Sequence, residues 1–138
     1  MARWTCPRCD REFARAHQSH TCLPGNSVDE TFRGKPPEFR AIFAAVMDRL
    51  RPLGPVHADA VQVGVFLKSD RKLAELRPKS RWMSCSFYVS RVVDDARVAR
   101  SIRISATRVA NEVKLRTVDD VDDQLGAWLS EAFAEATD

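Results

Sequence analysis

Residues 83–89 read MSCSFYV, and this stretch decides the fold class because its side chains alternate in character. Thiol and apolar side chains occupy every second position, and hydroxyl-bearing residues stand between them. A period of two is typical of a β-strand with one buried face. A similar alternation from Val61 to Lys68 predicts a second strand region, and further strands are predicted over 99–105 and 112–116. The run Arg77-Pro78-Lys79-Ser80 predicts a turn between two strands.

Helical spacing flanks this β region on both sides. Apolar residues recur at intervals of three and four from Phe39 to Leu50, after a start signal at Pro36-Pro37 and before Pro52 and Gly54. A second apolar stripe at helical spacing runs from Val121 to Phe133. The sequence therefore predicts an α+β domain over residues 27–138: a helix, an antiparallel β-sheet and a C-terminal helix packed on the sheet.

Composition excludes disorder and a membrane-spanning helix. Apolar residues make up 44% of the 138 residues and charged residues 30%, which is typical of a globular chain. The longest uninterrupted apolar run, Ala41–Met47, has seven residues, whereas a membrane helix needs about 20. The N-terminal residues show no apolar signal region. We therefore expect a cytoplasmic protein without a membrane partner.

Charge is distributed unevenly along the chain. The net charge is only +3, yet residues 65–118 carry thirteen basic and five acidic side chains. Residues 119–138 carry seven acidic side chains and no basic one. This asymmetry is typical of a basic face that attracts phosphate, although solvated charges that serve only solubility would give the same pattern.

The first 26 residues carry the strongest chemical signal, a Cys-Pro-Arg-Cys knuckle at Cys6 and Cys9. The segment WTCPRCDREFARAHQSHTC then supplies His20 and Cys22, with ten residues between the two pairs. Three thiolates and one imidazole suit tetrahedral Zn2+, and a complete set of protein ligands indicates a structural site. His17 is the competing histidine. A thiol–disulfide pair is the alternative for the Cys-x-x-Cys motif.

The zinc-finger-like segment, residues 1–26, is too short to build a core without metal. Trp4 and Phe13 are expected to form a small apolar cap over the site. Arg8, Arg11 and Arg15 give this finger a basic character that suits contact with phosphate.

Several motifs together resemble an uncharacterised bacterial family, the domain-of-unknown-function family 5655 with an N-terminal zinc-finger-like segment. The resemblance is carried by Trp4, Cys6, Pro7, Cys9, Arg11 and Phe13, then Gln18, His20 and Cys22, then Phe32 and Gly34-Lys35-Pro36, then Gly54-Pro55-Val56, and finally Asp119 and Asp122. It implies Cys6, Cys9, His20 and Cys22 as the zinc ligands, and a compact α+β domain after the finger. Asp10 departs from the family, in which glycine is common. The family implies no activity.

The predicted hairpin around residues 72–88 offers material for binding nucleic acid. Its candidate contacts are Lys72, Lys79, Arg81 and Trp82. A basic sheet face that also carries aromatic rings can hold phosphates and stack bases. In the alternative interpretation, Trp82 packs in the core and the cations are merely solvated.

Catalytic candidates are weaker. Cys85 lies at a predicted buried strand position, and His57 is expected to be a surface histidine. The four aspartates at 119, 120, 122 and 123 suit the start of a helix better than a nuclease site. The sequence does not decide whether the protein is an enzyme, but it favours a non-enzymatic role.

We therefore expect a zinc-binding accessory protein with weak nucleic-acid binding through the basic finger and hairpin. The alternative is a protein-interaction module that docks a partner through the finger, or a small-anion-binding module, with a purely structural zinc site.

Overall fold

The computed structural model describes residues 4–6, 12–18 and 27–137. Near the N-terminus, two short strands, β1 (Trp4–Thr5) and β2 (Glu12–Phe13), form an antiparallel hairpin. Trp4 lies opposite Phe13, with ring centroids 6.1 Å apart. Cys6 follows β1 and is buried in one cluster with these two rings. Trp4, Phe13 and Cys6 therefore form one small apolar cluster.

Two helices precede the main sheet. Helix α1 (Val28–Phe32) begins at Ser27, whose hydroxyl accepts a hydrogen bond from the Glu30 amide. Helix α2 (Pro37–Leu50) begins at the predicted proline signal and continues into a 3₁₀ turn (Arg51–Leu53). Its buried face is the predicted apolar stripe, Phe39, Ile42, Val46, Met47 and Leu50.

Six antiparallel strands form the main sheet, in the order β3-β4-β5-β6-β8-β7. Their bounds are β3 (His57–Val61), β4 (Gly64–Lys68), β5 (Lys72–Pro78), β6 (Met83–Val89), β7 (Val98–Ser105) and β8 (Arg108–Leu115). The final hairpin inserts β8 between β6 and β7. β8 therefore pairs with β6, and β7 forms the edge of the sheet opposite β3.

Helix α3 (Asp123–Ala136) closes the fold and packs on β5 and β6, as well as on α2. Its Trp128 ring stacks on Phe87 of β6, with centroids 5.3 Å apart and ring planes 16° apart. Helices α2 and α3 thus cover one face of the sheet. The predicted α+β architecture, with a C-terminal helix packed on an antiparallel sheet, is confirmed.

The buried face of the sheet follows directly from strand register. One row of paired residues runs Ala58, Leu67, Ala74, Phe87 and Asn111 from β3 to β8. The next row runs Ala60, Val65, Leu76, Cys85 and Val113. The alternation in residues 83–89 therefore identifies the core side of the central strand correctly.

Other local predictions are corrected. The alternation from Val61 to Lys68 is not one strand region but the end of β3, a two-residue turn at 62–63, and β4. Val61 pairs with Gly64 across this turn. Val61 therefore lies on the face opposite to Val65 and Leu67. The turn shifts the faces by one position, but the apolar residues at 61, 63, 65 and 67 continue the alternation in the sequence and so conceal it. Arg77 and Pro78 still belong to β5, so the predicted turn begins two residues later than expected.

The aspartates before α3 cap helical turns, as the sequence favoured. Asp122 is the N-cap of α3 and accepts a hydrogen bond from the Leu125 amide. Asp120 accepts bonds from the amides of Arg116 and Thr117 at a short 3₁₀ turn (Val118–Asp120). Arg97 also bonds to Asp122, with 2.8 Å between nitrogen and oxygen.

Among the residues that the structure describes, no helix has both the length and the apolar character required to cross a membrane.

Candidate nucleic-acid interface

The side of the sheet opposite α2 and α3 is called here the open face. Register places one row of residues across all six strands on this side: Asp59, Phe66, Glu75, Ser86, Glu112 and Arg100. Three members of this row are carboxylates on β3, β5 and β8, and we call Asp59, Glu75 and Glu112 the acid row. Because neighbouring strands are about 4.8 Å apart, these carboxylates are separated by intervening strands.

Asp59 is buried, with 1% of its surface exposed. Its Oδ1 atom lies 2.6 Å from Nε2 of His57, and its Oδ2 atom lies 2.7 Å from Nζ of Lys68. Burial by itself would raise the pKa of Asp59, but hydrogen bonds and charge from His57 and Lys68 outweigh it and lower the pKa to about 2. Asp59 is therefore held ionised by its two basic neighbours.

Glu75 is also buried, with 5% of its surface exposed. Its carboxylate accepts hydrogen bonds from Lys72, Arg77 and the Tyr88 hydroxyl. Burial opposes ionisation, yet the bonds and charges of Arg77 and Lys72 lower the pKa of Glu75. Neither Asp59 nor Glu75 suits the role of general acid, because that role requires a carboxyl group that keeps its proton near neutral pH.

Glu112 completes the acid row and pairs with Arg100 on the neighbouring strand β7. The Arg100 Nε atom donates to Glu112 Oε1 at 2.9 Å. Each of the three carboxylates of the row is thus matched by at least one cation on the same face. The remaining cations of the face leave it with positive charge in excess.

Several cations of the open face lie against aromatic rings. Lys114 has its Nζ atom 4.6 Å from the centroid of the Trp82 ring, and Arg116 has its guanidinium carbon 6.0 Å from that centroid. The Tyr88 ring has Lys72 Nζ and the Arg108 guanidinium carbon each at 4.8 Å. The aromatic faces attract these cations and keep their positive charge on this side of the sheet.

The structure places the four hairpin residues predicted to contact nucleic acid at or near the open face. Lys79 and Arg81 are exposed in the connection between β5 and β6, where the Lys79 amide donates to the Trp82 carbonyl. Trp82 is half-buried and lies beside Lys114. Lys72 is engaged with Glu75, so its charge is already partly compensated.

Trp82 and Tyr88 differ in how accessible their rings are to a nucleic-acid base. Tyr88 is buried, with 8% of its surface exposed, and has cations against its ring. A base reaches Tyr88 only by displacing Lys72 or Arg108. Trp82 is therefore the better candidate for stacking, and phosphate contact is the principal chemistry that this face offers.

Sequence reasoning missed the contribution of the last hairpin. Arg100, Arg108, Lys114 and Arg116 lie on β7 or β8, or just beyond β8, and the strand order places them beside the predicted hairpin. A signal was present in the sequence, since the basic residues at 108, 114 and 116 are separated by even numbers of positions and therefore fall on one face of a strand. Only the insertion of β8 next to β6 shows that they share a face with Ser84 and Ser86.

The finger contacts the same side of the sheet. The Phe13 ring centroid lies 5.6 Å from Nζ of Lys68. A shallow cleft of about 360 Å³ separates finger residues, including Phe13 and Gln18, from Phe66 and Lys68 of β4. Arg15 of the finger is exposed. The finger is therefore in direct contact with the sheet at β4.

The structure describes one of the four predicted zinc ligands. Cys6 is buried at the end of β1, whereas Cys9, His20 and Cys22 lie outside the described residues, as do Arg8 and Arg11. His17 is exposed, has a φ angle of 56°, and places its ring 5.1 Å from that of Trp4. Within residues 4–6, 12–18 and 27–137, no three metal-ligating side chains lie together.

The catalytic candidates are placed as the sequence favoured. Cys85 is completely buried, and burial raises the pKa of its thiol to about 12, so it remains protonated. His57 is partly exposed and is engaged with Asp59. Asp120 and Asp122 are occupied in capping. Cys85 is thus enclosed in the core, and His57, Asp120 and Asp122 each have a structural partner.

Comparison with known proteins adds one finding. The sequence matches the family model described as Domain of unknown function (DUF5655) over residues 28–136. No curated protein and no solved structure matches the chain. The matched range begins at α1 and ends at α3, so it contains the complete sheet and its helical layer but not the finger. On this evidence, the chain belongs to the DUF5655 family.

Proposed function

We propose that the protein binds nucleic acid weakly, through phosphate contacts on the open face of the sheet and the adjoining basic finger. The observation that carries this proposal is the excess of cations over the acid row on one face. Lys79, Arg81, Lys114 and Arg116 are concentrated at the Trp82 end of that face.

Arrangement as well as charge supports this function. On β8, side chains on the open face recur every second residue, about 6.8 Å apart. Arg108 and Arg116 are therefore about 27 Å apart along the strand, which gives an extended basic surface. An extended surface suits a polyanion, whereas a single small anion needs convergent donors. The arrangement favours binding that depends little on nucleotide sequence.

The zinc proposal is separate. We propose that Cys6, Cys9, His20 and Cys22 hold a structural Zn2+ ion, and that the protein acts in the cytoplasm. The buried Cys6 thiol beside Trp4 and Phe13 fits this role, because a structural zinc ligand is normally enclosed beneath an apolar cap. The ion would stabilise the finger in which Arg15 is exposed.

A matched pair of variants tests nucleic-acid binding. The triple variant Lys79→Ala, Arg81→Ala, Lys114→Ala removes three cations at the open face and leaves in place the basic residues that pair with the acid row. The control Arg33→Ala, Lys35→Ala, Arg51→Ala removes three exposed cations from the helical side. Both variants change the net charge equally, so a difference between them reports position and not total charge.

The measurement is fluorescence anisotropy of labelled single-stranded DNA, duplex DNA and RNA at about 50 and 200 mM salt. We expect binding that weakens steeply with salt, and a logarithmic salt slope reduced by about 2 in the open-face variant for single strands. The control variant should bind like the unmodified protein. Absence of binding at the lower salt concentration, or equal loss in both variants, would exclude the open face as a nucleic-acid surface.

A second candidate is a protein-interaction module. Ile102 and Ile104 of the edge strand β7 are 45% and 56% exposed, which is unusual for large apolar side chains on a strand. A protein partner could cover them together with the finger. Size-exclusion chromatography with light scattering, on the unmodified protein and on Ile104→Ser, distinguishes self-association through this strand from a monomer with a nucleic-acid surface.

A further inference from the structure

A cleft of about 570 Å³ lies where the C-terminal end of α3 meets the Tyr88 end of the sheet. The backbone carbonyls at this end of α3 are held by the connection between β4 and β5. The Arg71 amide donates to the Ala136 carbonyl at 3.1 Å, and an Arg71 guanidinium nitrogen donates to the Glu135 carbonyl at 2.6 Å. The wall that carries Arg71 is therefore fixed in position.

The opposite wall carries Arg108, at the start of β8. Its guanidinium lies against the Tyr88 ring, with 4.8 Å to the centroid, and donates to the Lys72 carbonyl. Two anchors of this kind orient the planar guanidinium without neutralising it, because a carbonyl oxygen and a ring carry no full negative charge. Arg108 differs in this respect from Arg91 and Arg100, which pair with carboxylates.

Arg71 and Arg108 are close enough for their charges to interact unfavourably. Burial lowers the pKa of Arg108, and the charge of Arg71 lowers it further, while Tyr88 and Glu135 act in the opposite direction. Two like charges beside one cleft carry an electrostatic cost that a bound anion would remove.

The cleft also offers hydroxyl donors and room for an organic group. Ser90 and Thr107 line it and are exposed, so their hydroxyls are accessible from the cleft. The buried residues Val89 and Ala136 contribute apolar surface. A volume of about 570 Å³ exceeds what an inorganic anion needs and lies within the usual range for small-molecule sites.

We propose that this cleft binds a phosphomonoester, with Arg71 and Arg108 contacting the phosphate oxygens and Ser90 and Thr107 donating hydroxyl hydrogen bonds. Guanidinium groups are suited to this ligand because their paired N–H donors match two oxygens of one phosphate. Glu135 lines the same cleft and offsets part of the positive charge, so the affinity is moderate. The proposal does not depend on nucleic-acid binding by the open face.

Isothermal titration calorimetry at constant ionic strength tests the proposal with three probes: inorganic phosphate, adenosine 5′-monophosphate and adenosine. We expect the monophosphate to bind most tightly, phosphate to bind more weakly, and adenosine to give no saturable heat. Arg71→Gln and Arg108→Lys should each weaken monophosphate binding by about tenfold or more, because each loses charged hydrogen bonds to the phosphate. Arg51→Gln, an exposed arginine on the helical side, is the matched control.

Arg108 also supports the fold, so each variant is checked by circular dichroism and thermal unfolding. Thr107→Val is the second variant, since it removes a hydroxyl and keeps the side-chain shape; it should weaken binding while leaving the unfolding temperature unchanged. Equal affinity for adenosine and its monophosphate would overturn the proposal. So would the same loss of affinity in Arg51→Gln as in Arg71→Gln, or unaltered binding in folded Arg108→Lys and Thr107→Val.

A second set of titrations, with oligonucleotides, distinguishes the source of the phosphomonoester. An oligonucleotide with a 5′-phosphate that binds more tightly than its 5′-hydroxyl counterpart, with the difference lost in Arg71→Gln, identifies a nucleic-acid end. If the two oligonucleotides bind with equal affinity while adenosine 5′-monophosphate still binds, the ligand is a free nucleotide-like molecule. The triple variant of Lys79, Arg81 and Lys114 should bind adenosine 5′-monophosphate normally. This result separates failure of the open-face proposal from failure of this one.

Discussion

The Nζ atom of Lys68 lies 2.7 Å from Oδ2 of Asp59. The same ammonium group lies 5.6 Å from the centre of the Phe13 ring. Lys68 therefore joins a buried carboxylate of the sheet to an aromatic residue of the finger. Because one cation–π contact contributes only about 0.5–2 kcal/mol, the sheet should remain folded when the finger is lost.

The first prediction concerns the dependence of the finger on metal. Cys9→Ser should abolish zinc binding and unfold the segment before residue 27, since a short segment with a structural zinc site folds only with its ion. Zinc content is measured by mass spectrometry and folding by two-dimensional NMR. Signals from α2, α3 and the main sheet should persist. Loss of these signals would show that finger and domain form one cooperative unit.

A second prediction concerns the identity of the histidine ligand. His20→Ala should lower zinc affinity more than His17→Ala, because the His17 ring lies against Trp4 and is exposed. Competition with a chromogenic chelator gives both affinities under the same conditions. The opposite order would assign the ligand role to His17.

Asp59 should make stability depend on pH in the acid range. Its pKa is about 2 in the folded protein, against 3.8 for an unperturbed aspartate. The unfolded chain therefore binds the proton more readily, so Asp59 contributes stability above about pH 4 that is lost as pH falls through 2. The contribution is about 2 kcal/mol.

Urea unfolding at pH 3 and pH 6 tests this prediction in the unmodified protein and in Asp59→Asn. The variant should be less stable at pH 6 and should lose less stability on acidification. Asp119→Asn, at an exposed position, is the control and should behave like the unmodified protein. An identical pH dependence for Asp59→Asn and the unmodified protein would contradict the assignment.

Cys85 should resist alkylation in the folded protein. Its side chain is inaccessible, and burial raises its pKa to about 12, so almost no thiolate is present at pH 8. Peptide mapping after iodoacetamide treatment should find Cys85 unmodified in the native protein and modified in guanidinium chloride. Rapid alkylation of the native protein would mean that the region around β6 opens readily.

Gly64 should not tolerate a side chain. A Cβ atom built there would lie 2.1 Å from the Leu76 carbonyl oxygen, and backbone on the neighbouring strand cannot move aside cheaply. Gly64→Ala should therefore destabilise the protein by about 3 kcal/mol. Gly126→Ala, within α3, is the control, since its Cβ would meet only the flexible side chain of Arg49 from α2. Similar unfolding midpoints for both variants would contradict the register of β4 and β5.

How much of this fold the sequence reveals depends on whether the pattern is local. The core side of β6 and the buried face of α2 were predictable, because each is a periodic pattern within one element. The turn at 62–63 was not, because the apolar residues at 61 and 63 continue the alternation of β4 in the sequence, although Val61 lies on the opposite face to Val65. Nor was the burial of Glu75, which depends on Lys72, Arg77 and Tyr88 meeting it from two strands.

The residues of the candidate interface were likewise predictable only where the pattern is local. Lys79, Arg81 and Trp82 were identifiable because they are neighbours in sequence. Arg108 and Lys114 were not assigned to that surface, since their proximity arises only when β8 inserts between β6 and β7. Long-range strand order is a property of the complete sheet, so no short segment encodes it by itself.

The acid row has a further consequence for any polyanion on the open face. Arg108 and Lys114 lie on either side of Glu112 along β8, about 20 Å apart at 3.4 Å per residue. The unpaired positive charge is thus divided into two tracks, and the acid row with its paired cations forms a strip of little net charge between them. A ligand held by both tracks must bridge that strip. The distance between its negatively charged groups, more than their number, therefore decides whether it can bind.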